Sequence, residues 1–129
     1  MTSALPEAPL VLIVDDNEKN LRLARDVLRF AGFRTVEAAS GGEGVSRAIE
    51  QLPDVILMDI RLPDMDGMEA ARQLKSDERT AAIPVVALTS LAMKGDRESF
   101  LEAGFDGYLE KPISVLELPG QVRSFCRPS

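Results

Sequence analysis

The sequence predicts an α/β fold in which five parallel strands alternate with five helices. Short apolar runs without polar alternation recur along the chain, as is typical of strands buried on both faces of a parallel sheet. Each run is followed by a stretch with helical periodicity, and this order implies right-handed crossovers and a single sheet. The predicted strands are Leu10–Val14, Phe33–Ala38, Asp54–Met58, Pro84–Leu88 and Gly107–Leu109.

The predicted helices follow from capping signals and apolar stripes. Asp15 to Glu18 resembles a capping box with Asp15 as the cap, and Ser40 to Glu43 is a second one. The first helix should reach Ala31 and bury a stripe of Leu21, Ala24, Leu28 and Ala31, widened by Leu23, Val27 and Phe30. The other helices are expected at Ser40–Gln51, Gly67–Ser76, Met93–Ala103 and Ser114–Phe125, the last interrupted by Pro119-Gly120.

Length, charge and composition restrict the possible functions. The chain has 129 residues, 45% of them hydrophobic, which suits one domain, predicted at residues 10–126 between tails at 1–9 and 127–129. A net charge of −6 disfavours nucleic acid or an anionic membrane as partner. No apolar run reaches the length of a membrane span and no signal peptide is evident, so a cytoplasmic location is expected. The absence of histidine excludes Ser-His-Asp and Cys-His triads and zinc sites built on histidine.

Residues that can bind a cation or a phosphate follow four of the predicted strands. Asp15 and Asp16 follow the first strand, Asp59 the third and Thr89 the fourth, and Lys111 lies just beyond the fifth. In open parallel sheets ligands bind at the carboxyl ends of the strands. We therefore expect these five side chains to converge at one edge of the sheet.

Converging carboxylates require a cation. Two like charges about 4 Å apart repel by roughly 4 kcal/mol at an effective dielectric of 20. Oxygen ligands without histidine or cysteine suit a hard ion, and Mg²⁺ fits a site that keeps room for water and a phosphate. Lys111 can pair with Asp59 and then with a phosphoryl oxygen, and Thr89 offers a hydroxyl donor. These are the parts needed to accept a phosphoryl group as an aspartyl phosphate.

From about Leu10 to Phe125 the chain resembles the receiver domain of bacterial two-component response regulators, the CheY-like family with a flavodoxin-like fold. The resemblance implies a doubly wound (βα)5 sheet with strand order 2-1-3-4-5 and a cis peptide bond before Pro112. The motifs that carry it are Asp15-Asp16, Met58-Asp59, the loop Leu62 to Gly67, Leu88-Thr89-Ser90 and Lys111-Pro112.

The resemblance also implies roles for the site residues. Asp59 would be the phosphoacceptor, Asp16 a direct Mg²⁺ ligand, Asp15 a ligand directly or through water, and Arg61 a ligand through its backbone carbonyl. The remaining roles fall to residues around the acceptor: Thr89 and Lys111 would contact the phosphoryl oxygens, Tyr108 would be the switch aromatic that moves with Thr89, and Arg61 and Leu91 would modulate the phosphate lifetime.

The function implied is that of a single-domain response regulator in a phosphorelay. It would receive its phosphoryl group from a sensor histidine kinase or a histidine phosphotransfer protein, and bind a downstream protein through the fourth helix, fifth strand and last helix. It would not be an enzyme beyond catalysing its own phosphorylation and dephosphorylation. Two segments, Asp16–Asn20 and Ala92–Asp96, look most like single-domain cell-cycle regulators and the receivers of hybrid kinases.

Three alternatives remain open. A receiver-like scaffold would bind partners without phosphorylation. A haloacid-dehalogenase-type phosphatase is suggested by Asp64-Met65-Asp66-Gly67, although its nucleophile should directly follow a buried strand, and here Arg61-Leu62-Pro63 intervenes. A flavodoxin-like cofactor binder would need a hydroxyl- and glycine-rich loop after the first strand, where Asp15-Asp16 would repel a phosphate.

Overall fold

The computed structural model describes residues 8–90 and 96–126, which form one parallel sheet with helices on both faces. The strands are β1 (Leu10–Val14), β2 (Arg34–Ala38), β3 (Val55–Asp59), β4 (Val85–Thr89) and β5 (Gly107–Glu110). The helices are α1 (Glu18–Phe30), α2 (Gly41–Gln51), α3 (Gly67–Ser76), α4 (Asp96–Ala103) and α5 (Leu118–Phe125). The strand order is β2-β1-β3-β4-β5, so the predicted fold class and order are confirmed.

Alternate residues of the central strands form two separate cores. On one face Leu12, Ile56 and Met58 pack with residues of α2, α3 and α4. On the other face Val11 and Leu57 pack with residues of α1 and α5. Because successive side chains of a strand point to opposite faces, a strand covered by helices on both sides must be apolar throughout. This explains the unbroken apolar runs that identified β1, β3 and β4.

The cap of α1 differs from the prediction. Asn17, and not Asp15, is the N-cap, since its side chain accepts a hydrogen bond from the backbone N–H of Asn20 at 3.1 Å. The carboxylate of Asp15 instead accepts from the backbone N–H of Asn17 at 2.9 Å. The prediction of Asp15 as a helix cap was therefore wrong, and Asp15 lies at the carboxyl end of β1, before the helix begins.

The apolar stripe of α1 is narrower than predicted. Leu21, Ala24 and Leu28 are buried, but Phe30 is 96% exposed and Leu23 is 40% exposed. Each of the two lies two residues, and hence about 200° around the helix axis, from a buried leucine. The expectation that they widen the buried face was wrong, because they lie on the opposite side of the helix.

The last helix also begins later than predicted. Residues 115–117 form a turn in which the side chain of Ser114 accepts from the N–H of Glu117 at 3.2 Å, and α5 begins at Leu118. Pro119 therefore lies in the first turn of α5, where a backbone N–H has no helical partner to lose. The predicted interruption by Pro119-Gly120 was wrong for this reason.

Some expectations fall on parts of the chain that are not described. The predicted start of the fourth helix at Met93, the role of Leu91, residues 1–7 and residues 127–129 lie outside the described residues. At the N-terminal end, the carbonyls of Ala8 and Pro9 accept hydrogen bonds from Arg34 at 2.8 and 2.9 Å. Within the described ranges, every helix is too short or too polar to cross a membrane.

Candidate functional site

The carboxyl ends of the strands bring the predicted site residues together at one edge of the sheet. Asp15 and Asp16 follow β1, Asp59 ends β3, Thr89 ends β4 and Lys111 follows β5. They line a cavity of about 490 Å³ whose full lining is Asp15, Asp16, Asn17, Asn20, Asp59, Ile60, Arg61, Met68, Thr89, Ser90, Phe100 and Lys111. The predicted convergence of five residues from four strand ends is thus a feature of the fold.

Lys111 joins two buried carboxylates in the lining of this cavity. Its Nζ lies 2.9 Å from Oδ2 of Asp59 and 3.1 Å from Oδ2 of Asp15. Its backbone N–H donates to the carbonyl of Thr89 at 2.8 Å, which ties the end of β5 to β4. The Lys111–Pro112 peptide bond is cis, as the resemblance implies. Two hydrogen-bonded ion pairs compensate for the burial of these charges.

The surroundings shift the pKa values of two of these groups. Burial raises the pKa of the Asp15 carboxyl above its ordinary value, although hydrogen bonds from the N–H of Asn17 and from Lys111 oppose the shift. Burial alone would lower the pKa of Lys111, but hydrogen bonds to Asp59 and Asp15 outweigh it, and the pKa lies above its ordinary value. Lys111 therefore remains a cation at neutral pH.

Three carboxylates form a group with the chemistry of a hard-cation site. Asp15, Asp16 and Asp59 each offer one oxygen, and these oxygens lie within 4.8 Å of one another. Asp15 and Asp59 are 1% and 7% exposed, whereas Asp16 faces solvent. Lys111 neutralises only part of their charge. An all-oxygen set that is open on one side fits Mg²⁺, which retains several waters when proteins bind it.

The loop after β3 carries Arg61 into the same site. The backbone N–H of Arg61 donates to Oδ1 of Asp59 at 3.0 Å, and Arg61 forms an isolated antiparallel bridge with Asp66. The N–H of Gly67 donates to the carbonyl of Ile60 at 2.8 Å and closes the base of the loop. The backbone of Arg61 therefore lies beside the Asp59 carboxylate, where the resemblance places its carbonyl.

The two acids that suggested a phosphatase cap helices instead. Asp66 is the N-cap of α3, and its side chain accepts from the N–H of Met68. Asp64 accepts from the N–H groups of Gly41 and Gly42 at the start of α2, both at 2.8 Å. Sequence reasoning missed the contact of Asp64, although the glycine pair after Ser40 is a signal of close approach at that helix end. The geometry of the loop thus gives no support to the phosphatase alternative.

Tyr108 lies on the α4 side of the sheet, in register with Ala87 of β4. Its ring centroid lies 6.3 Å from that of Phe100, and the two rings are tilted by 53°. Phe100 also packs edge-on against Phe105 at 5.9 Å and lines the cavity. Phe100 is a site residue that sequence reasoning missed, because an aromatic residue in a helix is ordinarily only part of the core.

Comparisons with known proteins agree with this geometry. Residues 11–123 match the response regulator receiver domain. The polar-differentiation response regulator DivK of Brucella ovis is 44% identical over 115 residues, which cover 89% of this chain and 94% of DivK, and DivK of Brucella anthropi is 43% identical with the same coverage.

Solved structures with the same fold include other receivers. One is the receiver domain of a sensor histidine kinase from Pseudomonas aeruginosa, which was solved with a magnesium ion coordinated in its active site cleft. It is 38% identical to this chain with a TM-score of 0.84, and the match covers 92% of this chain and 97% of that one. The chemotaxis protein CheY4 of Vibrio cholerae is 25% identical with a TM-score of 0.87, covering 92% and 98% of the two chains. The chain therefore belongs to the response regulator receiver domain family.

Proposed function

We propose that this protein is a phosphorylation-controlled binding switch, which accepts a phosphoryl group on Asp59 from a histidine kinase or a histidine phosphotransfer protein. One observation carries the proposal: the buried Asp59 carboxylate is held between Lys111 Nζ at 2.9 Å and the N–H of Arg61 at 3.0 Å, beside Asp15 and Asp16. A nucleophile fixed between donors, next to a cation site, has the arrangement that phosphoryl transfer requires.

The residues of the site have different roles in the transfer of the phosphoryl group. An oxygen of the Asp59 carboxylate forms the new bond to phosphorus as the bond from phosphorus to the donor's imidazole nitrogen breaks, and the imidazole leaves with that electron pair. Lys111 and Thr89 bind the phosphoryl oxygens, whose negative charge is spread in the transition state. Asp15, Asp16, Asp59 and the carbonyl of Arg61 would hold Mg²⁺, which would supply positive charge to offset that of the carboxylates and the phosphoryl group.

The switch depends on two packings of the α4 side of the sheet. A phosphoryl group on Asp59 attracts the hydroxyl of Thr89, and the side chain of Tyr108 follows into the space beside it. The phosphoryl group can shift this equilibrium only by its differential stabilisation of the two packings. A downstream protein would bind the surface of α4, β5 and α5, whereas the kinase would approach the Asp59 edge beside α1.

Intact-mass spectrometry tests the acceptor. After incubation with Mg²⁺ and acetyl phosphate, the protein should gain one phosphoryl group, and Asp59→Asn should gain none. Asp77→Asn, which alters an acid of the loop after α3, is the matched control and should be labelled like the unaltered protein. Equal labelling of Asp59→Asn would refute the assignment. Partner binding that is unchanged by Asp59→Asn would favour the phosphorylation-independent scaffold.

Two further measurements test the switch and the lifetime. Beryllofluoride, a phosphoryl mimic, should shift NMR signals of Tyr108 and α4, and shifts confined to the loops around Asp15, Asp59 and Lys111 would contradict this route for the signal.

Leu91 is apolar and cannot orient an attacking water, so Leu91→Glu should shorten the phosphate half-life; an unchanged or longer half-life would contradict its proposed role.

A further inference from the structure

The loop of residues 60–66 is tied at its far end to the first turn of α2. The two carboxylate oxygens of Asp64 accept one hydrogen bond each, Oδ1 from the N–H of Gly41 and Oδ2 from the N–H of Gly42, both at 2.8 Å. These N–H groups belong to the first turn of α2, where the helix leaves them without internal partners. One side chain thus joins the loop after β3 to an element more than twenty residues away.

The contact brings the loop and the first turn of α2 close together, and glycines on the helix side leave room for it. A Cβ atom at Gly42 would lie 3.2 Å from Oδ2 of Asp64, and one at Gly41 would collide with the side chain of Met65. The next N–H of α2, that of Glu43, is already satisfied by the side chain of Ser40 at 3.1 Å. Asp64 therefore completes the capping that Ser40 begins. The same hydrogen bonds, first that from Gly42 and then that from Gly41, lower the pKa of the Asp64 carboxyl, so it is charged at neutral pH.

At its base, the same loop forms a hydrogen bond with the side chain of Asp59. The N–H of Arg61 donates to Asp59, and Arg61 pairs with Asp66 across the base of the loop. Among the described residues, Asp64 therefore supplies the hydrogen bonds that join the tip of the loop to α2, beside the packing of Met65 against Gly41. Without Asp64, the base would stay closed at the Arg61–Asp66 bridge, while the tip would sample more orientations. The peptide between Arg61 and Leu62, which carries the Arg61 carbonyl, connects the base to the tip and would move with it.

We propose that Asp64 is a positioning residue for the cation site, which fixes the Arg61 carbonyl by anchoring the loop to the N-terminus of α2. This inference rests on the proposed function, since it assigns a role to the site at which that function requires Mg²⁺. A ligand that must be ordered on binding reduces affinity by the cost of ordering it. Groups that orient metal ligands typically affect affinity by about 10- to 100-fold. Because Asp64 acts through a loop and not on the ligand itself, we expect a smaller effect, of about three- to tenfold.

The negative charge of Asp64 and its stabilisation of α2 must each be separated from anchoring, because either could alter Mg²⁺ affinity. Asp64→Glu keeps the charge but extends the side chain by one methylene, so both oxygens cannot reach the two N–H groups without moving the loop. Asp64→Ala removes charge and anchor together. Ser40→Ala weakens the same helix terminus without touching the loop, and is the matched control.

The experiment measures Mg²⁺ dissociation constants by NMR titration, together with amide hydrogen exchange of residues 61–66, for the unaltered protein and the three variants. Anchoring predicts that Asp64→Glu and Asp64→Ala both weaken Mg²⁺ binding about three- to tenfold and speed exchange in the loop, while Ser40→Ala changes neither. Three results would overturn it: normal affinity in Asp64→Glu, which leaves only a charge effect; equal weakening in Ser40→Ala, which leaves only helix stability; or no change in any variant. If the unaltered protein binds no Mg²⁺ at the aspartates, the proposed function fails as well; normal binding with unaffected Asp64 variants refutes the anchoring alone.

Discussion

Adding one methyl group at Gly67 should disturb the end of β3, where Asp59 lies, because a Cβ atom there meets backbone. A Cβ atom at this first residue of α3 would collide with the carbonyl oxygen of Asp59 and lie 2.9 Å from the Cα of Ile60. Both are backbone atoms, so no side-chain rotation relieves the contact, and the end of β3 or the start of α3 must move. Gly67→Ala should therefore displace Asp59, the proposed phosphoacceptor.

The magnitude follows from two opposing contributions. Overpacking costs about 1–3 kcal/mol, and a contact with rigid backbone belongs in the upper part of that range. Alanine returns up to about 1 kcal/mol through its higher helix propensity. We expect a net loss of about 2 kcal/mol in the free energy of unfolding, which lowers the urea midpoint by about 0.7–2 M at the usual slopes of about 1–3 kcal/mol per M.

Gly120→Ala provides the matched control. Gly120 lies in α5, and a Cβ atom there would meet nothing within 4 Å. The same substitution should thus raise stability by about 0.5–1 kcal/mol and leave phosphorylation unchanged. Urea unfolding followed by circular dichroism, with intact-mass labelling of the folded variants, measures both effects. A Gly67→Ala variant within about 0.5 kcal/mol of the unaltered protein, labelled at the normal rate, would refute the reasoning.

Three other predictions follow from single side chains. Lys75 donates to Asp106 at 3.0 Å and to two backbone carbonyls, so Lys75→Met should lower the free energy of unfolding by about 1–2 kcal/mol, and an unchanged urea midpoint would contradict this. Hydrogen bonds from Arg79 lower the pKa of Asp77 from 3.8 to about 2, so the ionised Asp77 stabilises the folded protein above pH 4, and this stabilisation is lost as the pH falls toward 2. Asp77→Asn should flatten that part of a curve of stability against pH, and a curve of the same slope would count against a stabilising pair. Lys111 pairs with two of the three carboxylates that would hold Mg²⁺ in the proposed function, so Lys111→Ala should tighten Mg²⁺ binding about fivefold in an NMR titration while it impairs phosphorylation. Weaker binding would show that the lysine organises the site instead.

The site residues that directly follow a strand could be predicted from the sequence. Asp59 and Thr89 each follow an unbroken apolar run, and the carboxyl ends of parallel strands share one edge, so proximity follows from topology without any side-chain coordinates. The link between Phe100 and Tyr108 could not be predicted in the same way. It depends on how far α4 stands from the sheet and how the helix is rotated, and periodicity gives no measure of either.

By itself, the sequence determined the architecture, the buried strands and the chemistry available at their ends. These properties depend on the order of residues along the chain: an unbroken apolar run requires cover on both faces, and a charge directly after it must leave the core. Only the tertiary structure decided that Asp64 caps α2 and that Phe30 faces solvent. A capping carboxylate can come from any segment that passes close to a helix terminus, and a helix buries only the side that its neighbours cover. Both outcomes are set by distances through space between segments that are remote in sequence, and the local pattern of residues does not contain those distances.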